Sequence, residues 1–168
     1  MSDIKSACCF TGHRPSQLPW GYNEYGIRFK FFKFRLKRVI MKCIKQNYKH
    51  FISGMALGVD IIAAEIVLEL KSHHPDITLE CALPCKNQSE KWNDEIILRY
   101  INVLSLADKV TLVSESLYFN GCMAKRNRYM INHSNRIIAI YNGKKHGGTY
   151  QTINMAKIAN KEIVIIKP

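Results

Sequence analysis

Five short runs carry residue types that can hold an anion or move a proton, and each follows an apolar run. Thr11-Gly12-His13-Arg14 sets a hydroxyl, an imidazole and a guanidinium around a glycine that permits a tight turn. A surface turn with Arg14 paired to a carboxylate is the competing reading. Ser53-Gly54-Met55-Ala56-Leu57-Gly58-Val59-Asp60 opens straight into an amphipathic pattern. Backbone N–H groups of a glycine turn can approach a phosphate, and a helix N-terminus adds favourable partial charge. Asp60 has three readings, all open here: it complements the helix dipole, accepts a ribose hydroxyl, or serves as a base. Pro84 to Gln88 follows the third apolar run, with Trp92 close behind, either to stack on a base or to pack on a helix. Lys125-Arg126-Asn127-Arg128 places three cations early in a helix, where they oppose its dipole unless an anion sits there. Gly147-Gly148-Thr149 forms a second glycine-plus-hydroxyl cradle.

These runs need strands to end on and helices to begin. Candidate strands are 6–10, 50–53, 77–83, 109–113, 136–141 and 163–166. Several are apolar at successive positions, which suggests strands covered on both faces of a parallel sheet. Val59, Ile62, Ala63, Ile66, Val67 and Leu70 recur with helical spacing, as do Phe29, Phe32, Leu36, Val39, Ile40, Cys43 and Ile44. Further helices are predicted near 88–105, 122–134 and 148–160. The alternation predicts an α/β fold: a single Rossmann-like domain over 1–168, with a mostly parallel sheet of about six strands and helices on both faces. Ligands of such sheets bind beyond the carboxyl ends of the strands, where all five runs fall.

Composition narrows the class. The 168 residues are 47% hydrophobic and 10% aromatic, enough to bury a core and exclude a disordered chain. No apolar stretch approaches the ~20 residues of a membrane span, so no membrane partner is expected. Met1-Ser2-Asp3-Ile4-Lys5 is polar, without the apolar region of a signal peptide, and a cytoplasmic location is expected. Cysteines stand at 8, 9, 43, 81, 85 and 122 without a Cys-x-x-Cys pair, and no zinc spacing is met; reduced structural thiols and no metal are expected.

Taken together and in order, the 53–60, 125–128 and 147–149 motifs resemble the SLOG superfamily of Rossmann-like domains. The first strand's ending, Thr11-Gly12-His13-Arg14-Pro15, is similar to its YpsA-like branch; DprA and the LOG phosphoribohydrolases share the pattern more distantly. The resemblance implies a pocket for a nucleotide or nucleotide-derived ligand, built from Thr11, Gly12, His13, Arg14, Ser53, Gly54, Met55, Ala56, Gly58, Asp60, Pro84, Gln88, Lys125, Arg126, Asn127, Gly147, Gly148 and Thr149. It also implies a regulatory or stress-related role in a bacterium. Two departures stand out. Ala64 replaces the His usual in DprA-like sequences. The LOG pattern places a Glu after its Gly-Gly-x-Gly-Thr turn, whereas here no acid follows Thr149 before Glu162. Cleaving an N-glycosidic bond calls for a placed carboxylate. Asp60 or Glu115 could substitute; catalytic residues are unassigned, and catalysis is expected to be absent or very slow. No cofactor is expected to be required besides that ligand.

Charge is the remaining signal. Lys plus Arg number 25 against 13 for Asp plus Glu, a net +12 that favours anionic partners. Nine cations and no acid lie between Arg28 and Lys49, read as one basic helix. Its phenylalanines (29, 31, 32 and 34) read as core or interface, so oligonucleotide binding is expected to be weak and indifferent to strandedness. A nucleotide-like ligand and a protein partner are the expected partners, and a homo-oligomer is left open. The alternatives are a nucleotide N-glycosidase and a DprA-like single-strand binder.

Overall fold

A computed structural model describes residues 6–168; the reading of residues 1–5 lies outside it. Six strands form one sheet: β1 (Ser6–Gly12), β2 (Tyr48–Ser53), β3 (Thr78–Leu83), β4 (Lys109–Leu112), β5 (Arg136–Ile140) and β6 (Glu162–Ile166). Five α-helices join them: α1 (Ile27–Lys45), α2 (Val59–Lys71), α3 (Asp94–Leu106), α4 (Cys122–Asn132) and α5 (Gly148–Ile158), with a 3-10 turn at Pro15–Gln17. The order is β4-β3-β2-β1-β5-β6 and every pairing is parallel.

Side-chain alternation along each strand divides the core in two. Cys8, Phe10, Phe51, Leu79, Cys81, Ile138 and Ile140 face the buried stripes of α1, α2 and α3. Cys9, Ile52, Ala82 and Ile137 face Met130 and Ile131 of α4 and Ala156 of α5. All six cysteines are buried and reduced. No helix of the described residues is long and apolar enough to cross a membrane.

Two expectations need correction, and a third, core or interface for the phenylalanines of α1, divides. The segment 88–93 is not helical: Asn93 accepts a hydrogen bond from the Ile96 N–H at 2.9 Å, and Asp94 and Glu95 fill the first turn, so α3 starts there. The basic helix stops at Lys45, and Lys49 lies on β2, bonded to Asp76. Phe29 and Phe32 are core, but Phe31 and Phe34 are 63% and 57% exposed. They fall on the helix side opposite the buried stripe.

The connectivity creates a crevice. From β1 the chain steps to β2, β3 and β4 on one side, then crosses back to β5 on the other. The segments leaving the carboxyl ends of β1 and β5 therefore diverge, which opens a ligand-sized gap at that switch point.

Candidate functional site

At the switch point lies a recess of about 170 Å³. Ten of the residues expected at a ligand site line it: Thr11, Gly12, His13, Arg14, Ala56, Asp60, Arg126, Asn127, Gly148 and Thr149. Gln17 and Met123 line it too, and nothing in their sequence context marks them. A second recess of about 570 Å³ shares Arg14, Ala56 and Met123 with the first and extends past Gln88, Lys91, Trp92 and Tyr118. Trp92 meets Tyr100 of α3 edge-on at 5.3 Å, so it packs on the helix and still borders the cleft. Tyr118 is a wall that sequence reading missed; it stands in an irregular loop after β4, where periodicity carries no signal.

Arg126 is the centre of the first recess. It is 4% exposed, and no carboxylate among the described residues lies within ion-pair distance of it. Its Nη1 donates to the Gly54 carbonyl, and its Nε donates to Asn127 Oδ1 at 2.8 Å. Among the described residues, Nη2 has only the Met123 sulfur, at 3.8 Å. A side chain on Gly54 would place Cβ 2.5 Å from the Arg126 Cζ, so glycine is needed there to admit the guanidinium. Gly12 is also needed for close approach: a Cβ would stand 2.7 Å from Val59, the first residue of α2.

Asp60 supplies the recess's carboxyl group. Ser53 Oγ donates to its backbone carbonyl at 2.8 Å and accepts from the Met55 N–H at 3.2 Å, while Asp60 Oδ2 accepts from the Ala56 N–H at 3.3 Å. Met55 holds a left-handed φ of 54° in this loop, a conformation costly for a non-glycine residue and frequent at ligand sites. Burial pushes the Asp60 carboxyl up, and Arg126, the Ala56 N–H and Arg14 pull it back down. Burial pushes the Arg126 guanidinium down, opposed first by Asp60. The two charges temper each other across the recess without touching.

The rest of the lining is fixed by neighbours. His13 is buried and its Nε2 accepts the Asn142 N–H at 3.2 Å, which leaves it the unprotonated nitrogen. Burial is the main cause that lowers its pKa. Asn127 Nδ2 donates to Thr152 Oγ1 at 2.9 Å, and Thr152 donates to the Gly148 carbonyl at 2.8 Å, tying α4 to the start of α5. Gly58 and Gly147 precede α2 and α5, and neither helix start has a side-chain cap, so free N–H groups remain at both ends nearest the recess. Gln88 Nε2 donates to the carbonyls of Gly54 and Met55 at 3.2 and 3.0 Å, joining the two recesses.

Other expected residues sit apart. Pro84 is buried, Lys125 and Arg128 are exposed, and none of the three lines either recess. Of the three cations in that run, the fold turns only Arg126 inward. Glu115 lies on the surface 3.6 Å from Lys86 and borders neither recess, which removes it as a substitute carboxylate.

The comparisons with known proteins agree with this fold. A family model described as the YspA SLOG family matches residues 8–167. The SPbeta prophage-derived protein YoqJ of Bacillus subtilis is 37% identical over 137 residues, 74% of this chain and 80% of that protein. A UPF0398 protein of Brevibacillus brevis is 29% identical over 127 residues, 75% of this chain and 68% of that one. Among solved structures, DNA processing protein A of Helicobacter pylori, described for its single-stranded DNA binding mode, has a TM-score of 0.65 at 18% identity. It covers 98% of this chain and 66% of its own. DprA of Streptococcus pneumoniae has a TM-score of 0.65 at 13% identity, over 97% of this chain and 50% of that one. The chain thus spans two thirds or less of these neighbours, and the likeness is one of fold.

Proposed function

The chain belongs to the YspA SLOG family, and on that premise we propose that it binds a nucleotide or nucleotide-derived ligand at the β1/β5 crevice, as a regulatory sensor acting through a protein partner. The observation that carries this reading is Arg126: a guanidinium 4% exposed, with no carboxylate partner among the described residues and one nitrogen left to a sulfur. Burying such a charge is costly unless something pairs with it. A phosphate in the recess supplies that pair, and the uncapped starts of α2 and α5 add backbone donors. Asp60 then takes a ribose hydroxyl. The base extends into the larger recess, between Trp92 and Tyr118, where its size is accommodated.

Hydrolysis is not part of this reading. Asp60 is the recess's only carboxylate among the described lining residues, and it is held by the Ala56 N–H. Incubation of the purified protein with nucleoside monophosphates is expected to release no free base; release at about 1 per second, an ordinary enzymatic rate, would replace the sensor with a nucleotide N-glycosidase.

A second reading is that the cleft grips one nucleotide unit of a DNA single strand, favoured by the fold shared with the Helicobacter pylori protein. Isothermal titration with mononucleotides and with an oligonucleotide separates the two. The sensor reading predicts saturable mononucleotide binding that Arg126→Met removes. Binding of the oligonucleotide alone, lost in Arg126→Met, would establish the second reading instead.

A further inference from the structure

The exposed side of α1 is a surface of a different kind. Eight of its residues are cations (Arg28, Lys30, Lys33, Arg35, Lys37, Arg38, Lys42 and Lys45), and none is acidic. Among the described residues only Lys37 reaches a carboxylate, Glu69 at 2.6 Å. The other charges spread over a helix of 19 residues, about 28 Å long. That span matches several successive phosphates. Between the charges stand Phe31 and Phe34, more than half exposed, with Arg35 5.9 Å from one ring centroid and Arg38 5.8 Å from the other. One turn of helix separates the two rings along one edge of the surface.

A solvated outer helix explains the cations but not the rings. Phe31 and Phe34 stay more than half exposed, each with one arginine over its ring, although the buried stripe of α1 is already complete without them. We infer that this face of α1 binds single-stranded nucleic acid, its cations following the phosphodiester backbone while Phe31 and Phe34 take unpaired bases. Stacking on an aromatic ring is open to any base and closed to a paired duplex, whose rings are already stacked. Cations alone hold any polyanion, and the rings are what select the single strand. An anionic membrane is the competing occupant, and capture by vesicles is the outcome that would establish it. The surface is separate from the cleft, since no α1 residue lines the 170 Å³ recess.

The test uses the full chain and a labelled 30-mer thymidine oligonucleotide, with a 30-bp duplex beside it, by fluorescence anisotropy at 150 mM salt. Wild type is expected to bind the single strand more tightly than the duplex. Phe31→Ala/Phe34→Ala should weaken single-strand binding at least about tenfold and leave duplex binding unchanged. Both rings are exposed, so the variant should fold, which circular dichroism verifies. Arg38→Glu/Lys42→Glu should weaken both and flatten the salt dependence, per lost contact, by roughly 0.7 in logarithmic slope for the single strand and roughly 0.9 for the duplex. Equal affinity for both strand forms, or an unchanged Phe31→Ala/Phe34→Ala variant, overturns the inference. So does capture by phosphatidylglycerol vesicles without oligonucleotide binding. Loss of single-strand binding in Arg126→Met but not in the phenylalanine variant would move the strand to the cleft and overturn it as well. Failure of mononucleotide binding at the cleft leaves this surface untouched.

Discussion

The guanidinium of Arg126, on α4, occupies the place where a side chain of Gly54 would stand, and it donates to the Gly54 carbonyl. Residues 72 positions apart therefore share one small volume at the end of β2. Gly54 serves the ligand site at one remove: it makes room for the cation that would meet the anion.

This predicts strong coupling between the two positions. Gly54→Ala should destabilise the protein by about 1–3 kcal/mol, the range for disturbing a buried charge-assisted hydrogen bond. In an Arg126→Met background the same change should cost clearly less. A thermal-melt double-mutant cycle measures the difference, and strict additivity would show that the two do not share space.

Glu80 provides a prediction about the other end of the sheet. Its buried carboxylate lies 2.8 Å from His50 Nε2, 2.7 Å from Thr111 Oγ1 and 2.7 Å from Tyr129 OH, with Lys109 at 3.2 Å. Burial pushes its carboxyl up, yet these partners outweigh it and hold Glu80 well below the usual carboxylate range. The stability it contributes is thus present above its unfolded value near 4.5 and is lost as pH falls below that. Glu80→Gln should lower stability at pH 7 by about 1–3 kcal/mol. At this length that is ~2–4 °C in Tm per kcal/mol. It should also flatten the acid limb of a pH–Tm profile, and an acid limb identical to wild type would remove Glu80 from the account.

His13 titrates in the opposite part of the scale. Its folded pKa is lowered from 6.5, first by burial. Its contribution to stability is therefore complete above about pH 6.5 and lost as pH falls from there towards the folded value. Protonation also removes the acceptor for the Asn142 N–H and so disturbs the recess wall. Ligand affinity should accordingly change on acidification below pH 6.5 by a component that His13→Gln lacks, measured by titration across that range; identical pH profiles in the two proteins would remove His13 from the site.

Much of this was legible in the sequence, and the reason is local. Parallel strands covered on both faces are apolar at every position, and the helices between them repeat every three to four residues. Both patterns are short-range, so six strands and five helices could be placed within a few residues. The recess was legible because glycine turns and helix starts fall at strand ends by construction of the fold. What could not be read is which neighbour a side chain meets across the sheet. Lys125, Arg126 and Arg128 differ little as letters, yet only Arg126 turns inward. Phe31 looks like Phe32 until the helix is oriented against the sheet, when one becomes surface and the other core. Tyr118 and Met123 approach the cleft from irregular chain and from a helix flank, where no periodicity points at a ligand.

A nucleotide held in the β1/β5 crevice through Arg126 should reveal itself by thermal shift. Wild type and Arg126→Met should be melted with a panel of nucleoside mono-, di- and triphosphates, NAD and ADP-ribose at millimolar concentration. Removing the guanidinium relieves a buried charge but deprives Gly54 and Asn127 of a donor. It also leaves buried Asp60 without its main opposing charge, so each protein's ligand-induced shift is read against its own ligand-free Tm. At least one ligand should raise the wild-type Tm; a concentration near 100 times Kd gives about 2.7 kcal/mol of stabilisation. That rise should vanish in Arg126→Met. No shift with any member of the panel, or an equal shift in both proteins, would contradict the assignment.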